Sequence, residues 1–262
     1  MKVSLVMASF NRTNLLDLGL WSISIQDIHH NLEIIVLNDG IIDNTENICK
    51  KYSNLNIRYI FTGTRNLNEV EKFRSPSFAL NIGIKQSKGD IIIISSPEIF
   101  HLNNSIDKLI NPFENDENIL TTPEYLGFDN DGIVLNYLSK NLTLNLPENI
   151  VSSIEINTVV CKYRSTLPFC MGIYKQNLID IGGYDEDFTG WAGDDDDLMG
   201  RLLLKGLKYQ YCSAKVIHLY HPKAYNVEQK YNDVGYLHNL KLFQDRKGII
   251  IRNQNRVWGK NE

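Results

Sequence analysis

Val3-Ser-Leu-Val-Met-Ala8, followed by Ser9-Phe-Asn-Arg12 and then by helical spacing across residues 13 to 25, is the stretch that decides the fold. The apolar hexapeptide reads as a short buried strand, the polar tetrapeptide as a loop, and the periodic segment as a helix. Working outward, residues 33 to 37 read as a second strand ending in Asn38-Asp39-Gly40, residues 43 to 52 as a helix and residues 57 to 61 as a third strand. Two strand-helix units feeding a third strand predict a Rossmann-like α/β fold, its mostly parallel central sheet flanked by helices. Ligands of such sheets gather at the carboxyl ends of the strands. A further helix over residues 76 to 86 leads through Gly89-Asp90 into Ile91-Ile-Ile-Ile94, the apolar run of a central strand covered on both faces.

The second half is less regular. Residues 115 to 149 mix strand-like and turn-rich pieces, and residues 174 to 181 read as a helix ending at Gly182-Gly183. Residues 198 to 207 read as a helix and 210 to 218 as a late strand, stopped at His221-Pro222, with a last helix over 227 to 245. The expected organisation is one domain over residues 1 to 222, in two halves, 1 to 100 and 101 to 222. Residues 223 to 262 form a helical, basic extension packed on or trailing it.

Bulk properties narrow the function. The 262 residues are 43% apolar and 22% charged with a net charge of -4, ordinary for a globular protein and adverse to nucleic acid as the main partner. Six Lys or Arg against one Asp between residues 241 and 260 make a local exception, read as a solvated tail or as a peripheral contact with anionic lipid. Cys49, Cys161, Cys170 and Cys212 lack metal or redox spacing and imply free thiols in a reducing compartment. With no signal peptide and no membrane-spanning run, the expected location is cytoplasmic, with the inner face of a membrane as the peripheral alternative.

Chemistry is concentrated in Phe188-Thr-Gly-Trp-Ala-Gly-Asp194-Asp-Asp-Asp-Leu198, a glycine-bounded turn against four consecutive carboxylates. Adjacent like charges repel unless a helix N-terminus, a cation or a sugar hydroxyl takes up part of the charge. The plain alternative is a capped, solvated helix start. Polar groups also collect at the strand ends: Ser9, Asn11 and Arg12, then Asn38 and Asp39, then the segment 62 to 65, then Ser95 to Glu98. Asp39 suits an acceptor for a base N-H, and Arg65 and Arg74 suit phosphates, although Asx and Gly after strands are also normal turn chemistry.

Together these motifs resemble glycosyltransferase family 2, the nucleotide-sugar-dependent enzymes of the GT-A fold. Val3 to Arg12 looks like the family's opening strand and loop, Asn38-Asp39-Gly40-Ile41 like its Asp-Asp-Gly-Ser turn, and Leu80-Asn81-Ile82-Gly83 like its Arg-Asn-x-Gly helix. Ile181-Gly-Gly-Tyr-Asp-Glu-Asp-Phe188 with the Gly-Trp-Ala-Gly-Asp-Asp run is similar to the acceptor-side signature of chondroitin polymerases and β-1,4-galactosyltransferases. The resemblance implies an inverting transfer from a nucleotide-diphosphate donor, UDP-linked, to a saccharide hydroxyl, with residues 1 to 100 as the nucleotide-binding half of a GT-A domain and residues 101 to 222 as its smaller acceptor-binding half. It assigns Asp195 as general base with Asp194 beside it, Asp39 to uracil, Arg65 or Arg74 to the diphosphate, and Ser9, Asn11, Arg12, Asn81 and Glu98 to the donor side. Trp191, Gly193, Asp196 and Met171 fall to the acceptor.

One departure concerns the metal. Where the family carries Asp-x-Asp, this chain has Ser96-Pro97-Glu98. Glu98 and His218 are the residues that the resemblance leaves for Mn2+ or Mg2+, while preorganised positive charge alone is the metal-free alternative. Two other functions fit parts of the pattern. A sugar nucleotidyltransferase would want a glycine-rich loop after the first strand, where this chain has Ser9-Phe-Asn-Arg12. A binding module without turnover would explain the altered Asp-x-Asp, but leaves the costly carboxylate run without a task.

Overall fold

The computed structural model describes residues 1–63, 75–142, 153–155, 157–161, 164–222 and 233–260. Its first half runs β1 (Lys2–Ser9), α1 (Thr13–Ser24), β2 (Asn31–Asn38), α2 (Thr45–Lys51), β3 (Ile57–Phe61), α3 (Ser77–Gln86) and β4 (Ile91–Ser95). These strands lie in the order β3-β2-β1-β4, and every neighbouring pair is parallel. Side-chain alternation divides the core into two layers, as a pleated sheet requires. Leu5, Met7, Val36 and Ile93 pack with Leu16, Leu20 and Ile23 of α1, whereas Val6, Leu37, Ile92 and Ile94 pack with Ile82 and Ala79 of α3. Gly83 lets α3 approach that closely, because a Cβ there would lie 2.4 Å from the Val6 side chain.

The second half adds β5 (Ile99–His101), α4 (Ser105–Ile110), β6 (Ile119–Phe128), α5 (Ile133–Asn141), β7 (Val159–Val160), β8 (Cys170–Tyr174), α6 (Lys175–Asp180), α7 (Asp194–Leu204), β9 (Lys208–His218) and α8 (Val234–Asp245). The sheet continues past β4 as β8-β6-β9-β5, with β7 on β6. The unbroken run of parallel pairs ends at β4: β8 runs antiparallel to both β4 and β6, and β5 antiparallel to β9, while β6 and β9 are again parallel. The chain reaches β8 at the carboxyl edge of β4, where Ser96 N donates to Phe169 O at 3.0 Å, so β8 can only run back along it. Because β6 and β9 are parallel to each other and opposed to β8, six strands (β1, β2, β3, β4, β6 and β9) point the same way. Their carboxyl ends, including Ser9, Asn38, Ser95 and His218, form one edge.

Two boundaries differ from expectation. The helix predicted from residue 198 begins at Asp194, directly after Gly193 at φ 91°, which places all four aspartates in its first turn. The unsatisfied N-H groups and positive end of the helix favour carboxylates there. The last helix starts at Val234 behind Asp233, whose side chain accepts from Tyr236 N, and residues 227 to 232 of the predicted helix lie outside the described residues.

Beyond α8 the chain threads back onto the molecule, with Arg252 N bonded to Ile181 O at 3.0 Å. Arg246, Arg252 and Arg256 pair with Asp185, Asp187 and Asp197, so three basic residues of the tail are spent on internal carboxylates. All four cysteines are unpaired thiols. No helix among the described residues is long and apolar enough to cross a membrane.

Candidate active site

Glu98 follows β4 and lies buried at the carboxyl edge. The end of β9 pairs with the start of β5, Ile99 opposite His218, which brings His218 beside it. His218 Nε2 and His221 Nε2 lie 3.4 and 3.6 Å from Glu98 Oε1, and Arg12, at the start of α1, pairs with the same oxygen. The other carboxylate oxygen, Oε2, is buried and has no hydrogen-bond partner among the described residues. Burial raises the proton affinity of Glu98, but the hydrogen bond to His218 and the charge of Arg12 outweigh it and hold the carboxyl well below its ordinary range. Burial and the Arg12 charge lower the proton affinity of His221. His221 Nδ1 faces Pro222 O at 3.2 Å, and a carbonyl only accepts, so the neutral ring carries its proton there and turns a bare Nε2 toward Glu98.

His218 is held by aromatic packing, stacked on Phe128 at 4.9 Å and edge-on to Phe169 at 5.5 Å between ring centroids. Glu98, His218 and His221 thus offer one oxygen and two nitrogens within 4.8 Å of one another. A bare imidazole nitrogen facing an ionised, half-satisfied carboxylate is the donor set that a divalent cation completes.

A second cluster forms at the start of α7. Asp194 Oδ2 accepts from Ser75 Oγ at 2.7 Å and Ser77 Oγ at 3.0 Å, both at the N-terminal end of α3. Since α3 runs back along β1 and β2, that end lies at the carboxyl edge, and Asp194 is tied to it. Burial raises the proton affinity of Asp194 against those two hydrogen bonds. Asp195 is partly exposed. Its proton affinity is raised well above the ordinary carboxylate value by burial and by the neighbouring charges of Asp194 and Asp196, against a 3.3 Å hydrogen bond from the Tyr184 hydroxyl. Asp197 belongs to a different task, buried between Arg201 and Arg252 at 2.7 Å each.

The remaining candidates divide. Asp39 is buried at the end of β2, accepting from Thr62 Oγ1 at 2.7 Å, with its N-H on Ser9 O. Ser9 Oγ beside it is buried without a hydrogen-bond partner, and Asn11 holds a left-handed φ of 51° in the loop between β1 and α1. Trp191, partly exposed, lies 5.5 Å from the Tyr236 ring. Gly193 turns the chain into α7 and Asp196 stays partly exposed. Asn81 is not available to a donor, because its amide spans Tyr184 N, Tyr184 O and Glu186 Oε1 at 2.8 to 3.0 Å. Met171 is fully buried in the layer with Ile94 and Leu198 and offers an acceptor no surface. Arg65 and Arg74 lie outside the described residues.

Sequence reasoning passed over Ser75, Ser77, Tyr184 and His221 as site residues. His221 carried a signal in its three-residue offset from His218, and Tyr184 in its place within the Ile181 to Phe188 run; Ser75 and Ser77 carried none.

A family profile described as "Glycosyl transferase family 2" matches residues 4–180. The chain belongs to glycosyltransferase family 2. A second profile, "N-terminal domain of galactosyltransferase", matches residues 152–223, which include the Asp194-Asp195 turn. Among curated relatives, the family 2 chain is 22% identical to chondroitin synthase of Pasteurella multocida over 95% of its own length and 28% of the relative's. It is 23% identical to chondroitin synthase of Escherichia coli over 79% of its length and 33% of the relative's. It therefore spans about a third or less of either enzyme. In fold it is similar to the S. aureus protein TarS 1-349 solved in complex with UDP-GlcNAc (TM-score 0.62, 16% identity, 93% of this chain and 65% of that one). It is also similar to a mannosyltransferase from Pyrobaculum calidifontis in complex with GDP-Man and Mn2+ (TM-score 0.61, 13% identity, 95% and 68%). The mixed α/β architecture is the GT-A fold.

Proposed function

We propose that this glycosyltransferase is inverting, moving a sugar from a UDP-linked donor onto a saccharide hydroxyl with Asp195 as general base. The observation that carries the reading is a partly exposed carboxylate at the start of α7, next to Asp194, which Ser75 and Ser77 tie to the strand edge that also bears Asp39 and Glu98. In the transfer, Asp195 takes the hydroxyl proton as the acceptor oxygen bonds to the anomeric carbon. The bond from that carbon to the diphosphate oxygen breaks on the opposite face and the nucleotide diphosphate leaves. A carboxylate with raised proton affinity accepts that proton more readily near neutral pH than an ordinary one, and general-base catalysis of this kind contributes roughly 10²- to 10⁴-fold. Ser75 and Ser77 hold Asp194 and so the helix start that presents Asp195. Trp191 offers the flat apolar face that sugar rings stack against.

On the donor side, Asp39 accepts from the uracil N-H, with Ser9 Oγ free to bond the nucleoside. Glu98, His218 and His221 fit a divalent cation of the Mn2+ class, and Arg12 adds fixed positive charge beside them. Bound there, the cation would neutralise charge on the diphosphate as it leaves. The UDP-GlcNAc complex of TarS favours UDP as the carrier, while the GDP-Man complex makes the base worth testing.

The test is thermal stabilisation by UDP, GDP and their sugars with and without Mn2+, followed by nucleotide release from the donor that binds. UDP-sugar should raise Tm in the presence of Mn2+, and its turnover should vanish in Asp195→Asn. Stabilisation by no nucleotide, or undiminished turnover in Asp195→Asn, overturns the reading.

A further inference from the structure

Between the two glycines that end α6 and the Trp191 turn, the chain carries a tyrosine whose position is fixed from both sides. Tyr184 N donates to Asn81 Oδ1 at 2.8 Å, and Tyr184 O accepts from Asn81 Nδ2 at 2.9 Å and Asn253 Nδ2 at 2.6 Å. Asn81 comes from α3 and Asn253 from the segment beyond α8, where it adopts the left-handed φ of 57° that Asn tolerates well. Asn253 Nδ2 also donates to Gly182 O at 2.8 Å. The side chain is fully buried in the layer with Ile94, Met171, Leu198 and Leu202. A ring so enclosed has one place to put its hydroxyl, and that place is 3.3 Å from Asp195 Oδ1.

We propose that Tyr184 is a positioning residue for Asp195: its hydroxyl fixes the direction of the carboxylate and favours its ionised form. This rests on the reading of Asp195 as the base. The groups facing Asp195 are Asp194 and Asp196 on its own helix and the Tyr184 hydroxyl from the preceding loop. Ser75 and Ser77 reach it through Asp194, and the Arg201 charge, nearly two helical turns further on, acts on Tyr184. Two neighbouring carboxylates drive Asp195 toward its protonated form, in which it cannot accept a proton. The tyrosine, its own proton held tightly by burial and by Asp195, is the donor set against them. The segment beyond α8 then serves the reaction through Asn253 and the backbone of residue 184, far from the reacting atoms in sequence.

The decisive variant is Tyr184→Phe, which keeps the ring and removes only the hydroxyl. The first readout needs no ligand. In protein labelled with 13C at aspartate carboxyls, the Asp195 resonance is the one absent from Asp195→Asn, and its titration midpoint should rise in Tyr184→Phe by roughly half to one pH unit, the worth of one hydrogen bond. The second is release of UDP from UDP-GlcNAc, UDP-GalNAc and UDP-glucuronate with Mn2+. In Tyr184→Phe, kcat should fall by about tenfold with KM for the donor unchanged, and the acid limb of the pH profile should move upward by the same half to one unit. Adding Tyr184→Phe to Asp195→Asn should cost nothing further. An unmoved Asp195 titration with an unmoved pH profile, in a variant that melts like the parent, overturns the positioning role while leaving Asp195 as base. Full turnover in Asp195→Asn overturns both.

Discussion

Arg252 bridges the loop that carries Asp185 and the start of α7 at Asp197, and Arg252→Ala measures how much the two depend on it. Its Nε lies 2.9 Å from Asp185 Oδ2 and its Nη2 2.7 Å from Asp197 Oδ1, with side-chain exposure of 4%. Removing one partner of a buried ion pair costs about 3 to 5 kcal/mol, because the carboxylate left behind has lost its compensating charge. Here each carboxylate keeps one arginine, Asp197 its pairing with Arg201 and Asp185 its pairing with Arg246, so the low end, about 3 kcal/mol, applies. Unfolding entropy of about 2 cal/mol/K per residue converts 1 kcal/mol into about 2 °C for a chain of 262 residues. Tm should therefore fall by about 6 °C in differential scanning calorimetry at low salt and neutral pH. Catalytic turnover should fall with it, since Asp197 lies two residues past the proposed base. A drop below about 2 °C, or a Tm loss with kcat fully retained, would refute the claim that this pairing holds the site.

Three further outcomes follow from the geometry. Asp195→Asn should abolish transfer yet raise Tm by about 2 °C near pH 7.5, the size of about 1 kcal/mol. A carboxyl with raised proton affinity in the folded state stabilises below its unfolded value near pH 4 and costs stability as pH climbs through the folded one, so the gain should disappear at low pH in melts across the range. Glu98 has the opposite sign, its depressed proton affinity giving stability above the ordinary carboxylate range that is lost as pH falls. Glu98→Gln should lower Tm at neutral pH and, like His221→Ala, shrink the Mn2+-induced Tm shift by at least half; an undiminished shift removes these residues from the metal set. Gly193→Ala places a Cβ 3.0 Å from the Phe188 ring at a φ of 91°, and should cost about 1 to 3 kcal/mol in chemical denaturation while reducing kcat.

The strand and helix order of the first half was legible in residues 1 to 95 because hydrophobic periodicity is a local property and shows whichever strand lies alongside, even for β1 and β4, where Val3 sits opposite Ile91. Asp194-Asp195 and Glu98 were legible for a related reason: the residues next to them, Gly193 on one side and Ser96-Pro97 on the other, mark them as turn positions at element ends. Their settings were not. Asn81 read as a donor ligand and is a clamp for Tyr184, 103 residues away. Ser75 grips Asp194 across 119 residues, and Arg12 meets Glu98 across 86. Met171, in an apolar stretch suited to a pocket wall, is buried because β8 inserts between β4 and β6, a pairing that no spacing within the strand encodes. The amino-acid order thus determines which segments are strand or helix and which carry reactive groups, since both depend on near neighbours. Which of those groups meet, and how tightly each carboxylate holds its proton, is decided only when the sheet closes and burial removes the water that had screened them.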